Sequence, residues 1–134
     1  MDELMQFLRD RLDEDESVAR TAGGGSTDGL RWLDHGSGSG LVSDDAGMVV
    51  THKPSTDDEH AAHIARHDPA RVLREVEAKR SILAQYEEAV RGAASDDWLA
   101  RDTWRPCLRI LEPVVRLLVL PYADHPNYQD TWQS

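Results

Sequence analysis

Apolar side chains recur every fourth residue at the start of the chain, at Leu4, Leu8 and Leu12, with Met5 and Val18 widening the stripe. That period predicts an amphipathic helix over residues 2–22. Asp2 and Glu3 sit where the positive end of the helix dipole favours carboxylates. Asp13-Glu14-Asp15-Glu16 reads as a solvated face, and Gly23-Gly24-Gly25 ends the helix, because consecutive glycines lose too much backbone entropy in one. From Leu30 to His52 the period falls to two. Leu30, Trp32 and Asp34 alternate with Arg31, Leu33 and His35, and Leu41-Val42 and Met48-Val49-Val50-Thr51 follow. With Ser37-Gly38-Ser39-Gly40 and Asp44-Asp45-Ala46-Gly47 as connections, this predicts a three-stranded antiparallel meander over 30–52. Such a sheet is marginal alone and needs helices over one face.

The period returns to that of a helix after Pro54. Thr56 or Asp57 caps a helix over 57–67, and Asp68-Pro69 starts a second over 69–91, since proline disfavours helical geometry in the residue before it but suits a first turn. Val72, Val76, Leu83 and Val90, with Leu73, Ile82 and Tyr86, form its apolar face, Glu75 and Lys79 are spaced for an ion pair, and Gly92 marks its exit. Ser95-Asp96-Asp97 supplies the next cap. Trp98, Leu99, Trp104, Leu108, Leu111, Val114, Val115, Leu118 and Val119 predict one or two helical pieces over 98–121, with Pro106 near a start and Pro113 as a kink or break. The aromatic, turn-like stretch from Tyr122 to Tyr128 opens a tail over 122–134 that folds back onto the core. The expected fold class is α+β and mostly helical, in a single domain over 1–134. It comprises an N-terminal helix, a small three-stranded antiparallel meander, a helical hairpin and a C-terminal apolar helix.

Charge narrows the choice of partners. The 134 residues carry 15 Lys+Arg against 25 Asp+Glu, a net charge of −10. That excludes non-specific binding to DNA, RNA or anionic lipid, which requires a positive surface field. The single cysteine, Cys107, excludes an internal disulfide framework and a four-thiolate metal site. No basic region followed by an apolar stretch stands at Met1-Asp2-Glu3-Leu4, and no window reaches 18 apolar residues. A cytoplasmic location is therefore expected, and the unpaired thiol suits a reducing compartment.

Three blocks carry a resemblance to a known family. They are Met1-Asp2-Glu3-Leu4 with Phe7-Leu8-Arg9 and Arg11-Leu12-Asp13-Glu14-Asp15, the run from His63 through His67-Asp68-Pro69-Ala70-Arg71 to Arg80, and the ending from Leu117 to Tyr128. Together they resemble the family catalogued as domain of unknown function 6221, found in actinobacteria and their phages. The resemblance implies no activity. Members of that family often carry additional cysteines between the long helix and the last apolar run, which implies a metal-stabilised loop. Residues 93–106 hold none here and only Cys107 matches, so the resemblance does not carry a zinc site onto this chain.

Among candidate sites, His60, His63 and His67 share one helical stripe about 10 Å long. One tetrahedral ion takes His63 with His67, or His60 with His63, and His125, Asp124 or Cys107 completes the set only if the tail covers that helix. The plainer expectation is that His63 and His67 pack in the helix–helix joint. Cys107 reads as a small buried hydrophobe before it reads as a nucleophile, because no base is fixed near it by a motif. The glycine stretches lack the strand, helix and Lys-Ser/Thr pair of a phosphate cradle. Acidic pairs such as Asp44-Asp45 and Asp96-Asp97 fit no calcium-loop spacing. Trp32, Trp98, Trp104 and Trp132 include core anchors, and an exposed Trp104-Arg105 would make a hot spot for a protein partner. The expected function is therefore that of a non-enzymatic accessory protein without a cofactor, acting on a protein partner or on itself as a homodimer. The rivals are a zinc-type site on the histidine stripe and an acidic mimic of DNA.

Overall fold

The computed structural model describes residues 1–24 and 29–133; Gly25, last of the predicted helix-ending glycines, and Ser134, last of the tail, lie outside the described residues. Along the chain run α1 (Asp2–Ala22), β1 (Trp32–Asp34), β2 (Val42–Asp44), β3 (Val49–Thr51), α2 (Asp58–Arg66), α3 (Pro69–Ala93) and α4 (Trp98–Leu118). Two short 3-10 turns follow at Leu120–Tyr122 and Asp130–Gln133. The class is α+β and mostly helical, with one small antiparallel sheet ordered β1-β2-β3. These elements form two compact units, one of Met1–Leu12 with Glu77–Ser134 and one of Asp13–Val76.

In the helical unit the first three turns of α1 bury Leu4, Met5, Phe7, Leu8 and Leu12, while α3 contributes Leu83, Tyr86 and Ala89 and α4 contributes Val115. Val119 and Trp132 complete the core. Phe7 is its centre. Tyr122, His125 and Tyr128 meet the Phe7 ring edge-on at 6.3, 5.4 and 6.3 Å, and Trp132 lies 4.8 Å away. Edge-to-face geometry suits the ring quadrupole, so the tail is held by aromatic contacts as well as by area. The folded-back tail that its composition predicts is what forms.

The sheet unit is assembled differently. Register pairs Leu33 with Ser43 and Ser43 with Val49, which puts these three on one face, and a bulge falls between Val42 and Ser43. Leu33 and Val49 are exposed, whereas Val42 on the other face is fully buried, where α2 packs with its buried Ala61. Aspartates then tie the loops. Asp45 accepts from the Gly29 N–H at 2.7 Å, and Asp68 accepts from Trp32 at 3.2 Å and from Arg71 at 2.8 Å. Asp68 thus caps α3 and fastens β1 to it. Asp57 caps α2 through the His60 N–H at 2.9 Å.

Three sequence expectations change. Val18 is 64% exposed and off the stripe; Phe7 and Ala19 are buried in its stead. Gly92 does not end α3, which runs on to Ala93. A Cβ at Gly92 would come within 2.1 Å of the Trp104 ring, so glycine admits that ring against the helix. Finally, α4 is one continuous helix through Pro106 and Pro113. The two prolines are seven residues apart, on one exposed face. Each proline leaves the carbonyl four residues before it, Asp102 and Arg109, without its helical N–H partner, and the helix continues past both.

Candidate functional site

The histidine stripe forms as its spacing predicts, but it faces outward. Ala61, Ile64 and Ala65 are the more buried side of α2, and His60, His63 and His67 are exposed. The expected packing of His63 and His67 in the helix–helix joint is therefore corrected: with so short an apolar stripe, one side of α2 is spent on the sheet and the imidazoles take the other. Their rings lie 4.2 Å apart, tilted by 35°, and His67 Nδ1 is 2.9 Å from the His63 carbonyl. His60 Nδ1 is 2.9 Å from the Asp57 carboxylate. His125 belongs to the helical unit, where its Nδ1 accepts from the Asn127 N–H at 3.1 Å. Among the described residues no three His, Cys, Asp or Glu side chains are grouped to hold a metal. The half-buried Cys107 donates its thiol to the Thr103 carbonyl at 3.6 Å.

The glycine loop does bind an anion, though one from its own chain. Gly38 and Gly40 donate backbone N–H groups to the Asp58 carboxylate at 2.6 and 2.9 Å. Those two bonds, that from Gly40 the stronger influence, hold the Asp58 carboxyl below its usual range. No local pattern announces this contact, because the carboxylate lies 18 residues beyond Gly40.

Of the two adjacent hot-spot candidates, Arg105 is exposed, but Trp104 is half-buried against Gly92. The exposed tryptophan is Trp98. It opens a larger feature. Helix α4 is apolar on two sides. Trp104, Leu108, Leu111 and Val115 are half or fully buried, yet Leu99, Ile110 and Leu117 are 58%, 69% and 62% exposed. With Thr103, Pro106 and Pro113 between them and Leu120 beyond, they recur at alternating steps of four and three, a straight seam along the outer face. At its C-terminal end lies a groove of about 550 Å³ lined by Arg109, Pro113, Leu117, Leu120 and Gln133. The prolines hid this seam in the sequence, since they break the apparent helix while continuing its stripe.

Charge on α4 also departs from the rest of the chain. Arg101, Arg105, Arg109 and Arg116 outnumber Asp102 and Glu112, so the helix is net positive in a protein of charge −10. A second cavity, of about 650 Å³, lies among Met1, Met5, Arg9, Tyr86, Glu87 and Val90, and an Arg9–Glu87 ion pair stands at it. Burial, with Glu112 adding, pushes the Tyr86 hydroxyl up, so it stays protonated and offers no base.

Over residues 1–134 the chain matches a family described only as a family of unknown function, DUF6221. It belongs to the DUF6221 family. No curated protein and no solved structure matches it. In this DUF6221 chain the three blocks that carry the resemblance are structural parts. The first supplies the core stripe of α1, the second the Asp68 cap between α2 and α3, and the third the aromatic tail on Phe7. The outer seam of α4 falls mostly between the second and third blocks.

Proposed function

We propose that this DUF6221 protein is a small, non-enzymatic accessory protein of an actinobacterium or its phage that works in the cytoplasm by protein–protein contact, through the outer face of α4. The observation that carries this reading is the exposure of Leu99, Ile110 and Leu117 on a single seam. A small domain rarely leaves a continuous apolar stripe in water unless something covers it. Its location is consistent with the finding that, among the described residues, no helix is long and apolar enough to cross a membrane.

A photo-crosslinking residue at position 110, compared with one at the exposed Ser81 of α3, tests the proposal in intact cells. Protein adducts should form at 110, be lost when Leu117 is replaced by lysine, and be absent at 81. Equal labelling at both positions, or none at 110, would contradict it.

A further inference from the structure

Building on that reading, we infer that the occupant of the α4 seam is a second copy of this chain, with the two α4 helices antiparallel about a two-fold axis. Helix α4 is about 31 Å long at 1.5 Å per residue, enough for three heptads of seam. Taking Thr103, Ile110 and Leu117 as one seam position and Leu99, Pro106 and Pro113 as the other, one antiparallel register matches them all. Leu117 then meets Leu99 of the second copy, Ile110 meets Pro106, and Thr103 meets Pro113. Symmetry repeats each contact. Leucine and isoleucine thus lie against leucine and against flat proline rings in four layers, and threonine lies against proline in the other two.

The flanking charges select this arrangement. Along the edge of the seam stand Asp102, Arg109 and Arg116, and beyond them Arg105 and Glu112. In the same register Asp102 faces Arg116 of the second copy, Arg105 faces Glu112, and both pairs occur twice. Each row carries acid at one end and base at the other, Asp102 before Arg116 and Arg105 before Glu112, which is what antiparallel self-pairing requires. A parallel pair would set Asp102 and Arg109 against the uncharged Cys107 and Val114 of the second copy and gain neither ion pair, and a uniformly acidic partner would be repelled at Asp102 and Glu112. Among the described residues Asp102, Arg105 and Arg109 have no ion pair within the chain, while their counterparts Arg116 and Glu112 pair with each other at 3.1 Å and exchange partners in the dimer. The register leaves one unfavourable contact, Arg109 against itself on the axis.

Light scattering over a dilution series reads the association. The mass should rise with concentration from 15.0 kDa to twice that value. Ile110→Lys, exposed and therefore harmless to folding by circular dichroism, should weaken association at least about a hundredfold. Asp102→Arg should weaken it about three- to tenfold, Asp102→Arg combined with Arg116→Asp should recover it, and Arg109→Gln should tighten it. For the orientation, Leu99→Cys and Leu117→Cys chains are mixed, both carrying Cys107→Ser. A mixed 99–117 disulfide supports the antiparallel register, and a dominant 99–99 disulfide overturns it. A mass fixed at 15.0 kDa at every concentration overturns self-association. Adducts at position 110 to a different protein would in that case leave the proposed function standing, whereas no adducts at all would remove both.

Discussion

The helical unit and the sheet unit of this protein are held together by different physics. In the helical unit Leu4, Leu8, Leu12, Val115 and Val119 are fully buried, and four aromatic rings surround Phe7. Its stability rests on area removed from water and on ring geometry. The sheet unit has strands of three residues each and few fully buried side chains, Val42 and Ala61 foremost. There, Asp44, Asp45, Asp57, Asp58 and Asp68 each accept from backbone N–H groups, and they set the loops that the short strands cannot. Five of the 25 acidic residues therefore have a local structural use in this unit. One unit is held by carbon and the other by carboxylate, so the two respond to different insults.

Removing the central ring should give the largest effect. Phe7→Ala is expected to cost about 3–5 kcal/mol, because four ring contacts and a buried volume vanish together. Urea unfolding followed by Trp132 fluorescence measures it. The sheet unit has its own weak point at Gly40, which has φ +59°, and a Cβ there would fall 1.8 Å from the Thr56 carbonyl. Gly40→Ala should cost about 1–3 kcal/mol through strain and overpacking, seen as lost amide exchange protection in β2 and at the start of α2.

Acid should separate the units next. Since the Asp58 carboxyl is held below its ordinary value of 3.8 in the folded chain, its contribution is present above that value and is lost as pH falls through the lower folded value. The Gly38 and Gly40 amide resonances should shift together in that window while those of α4 do not, and Asp58→Asn should abolish the shift. The smallest effect is expected at Tyr128, whose hydroxyl is buried without a hydrogen-bond partner among the described residues. Tyr128→Phe should be neutral or stabilise by up to about 1 kcal/mol in the same urea assay, since it removes an unsatisfied polar group and keeps the ring.

Much of this contrast was legible in the residues. Leu4, Leu8 and Leu12 at helical spacing, the alternation around Trp32, and Asp68-Pro69 each specify local structure by local chemistry, and the elements form where they imply. Contacts between distant residues were not legible. Gly92 looks like a helix end and is a seat for Trp104; the glycine loop looks empty and closes on Asp58. The candidate site was half visible: the apolar residues of α4 stand out, but which side of the helix each occupies depends on its continuing through two prolines. Proline removes two backbone donors from α4, yet the helix continues through both positions.

The most direct measurement is the solvent accessibility of the Ile110 and Leu117 methyls, read from paramagnetic relaxation by a soluble agent at low and high protein concentration. The exposed Val49 of the sheet unit serves as reference. Both α4 methyls should become protected as concentration rises while Val49 stays accessible. Relaxation at Ile110 and Leu117 that tracks Val49 at every concentration would contradict an α4 face that a second chain covers.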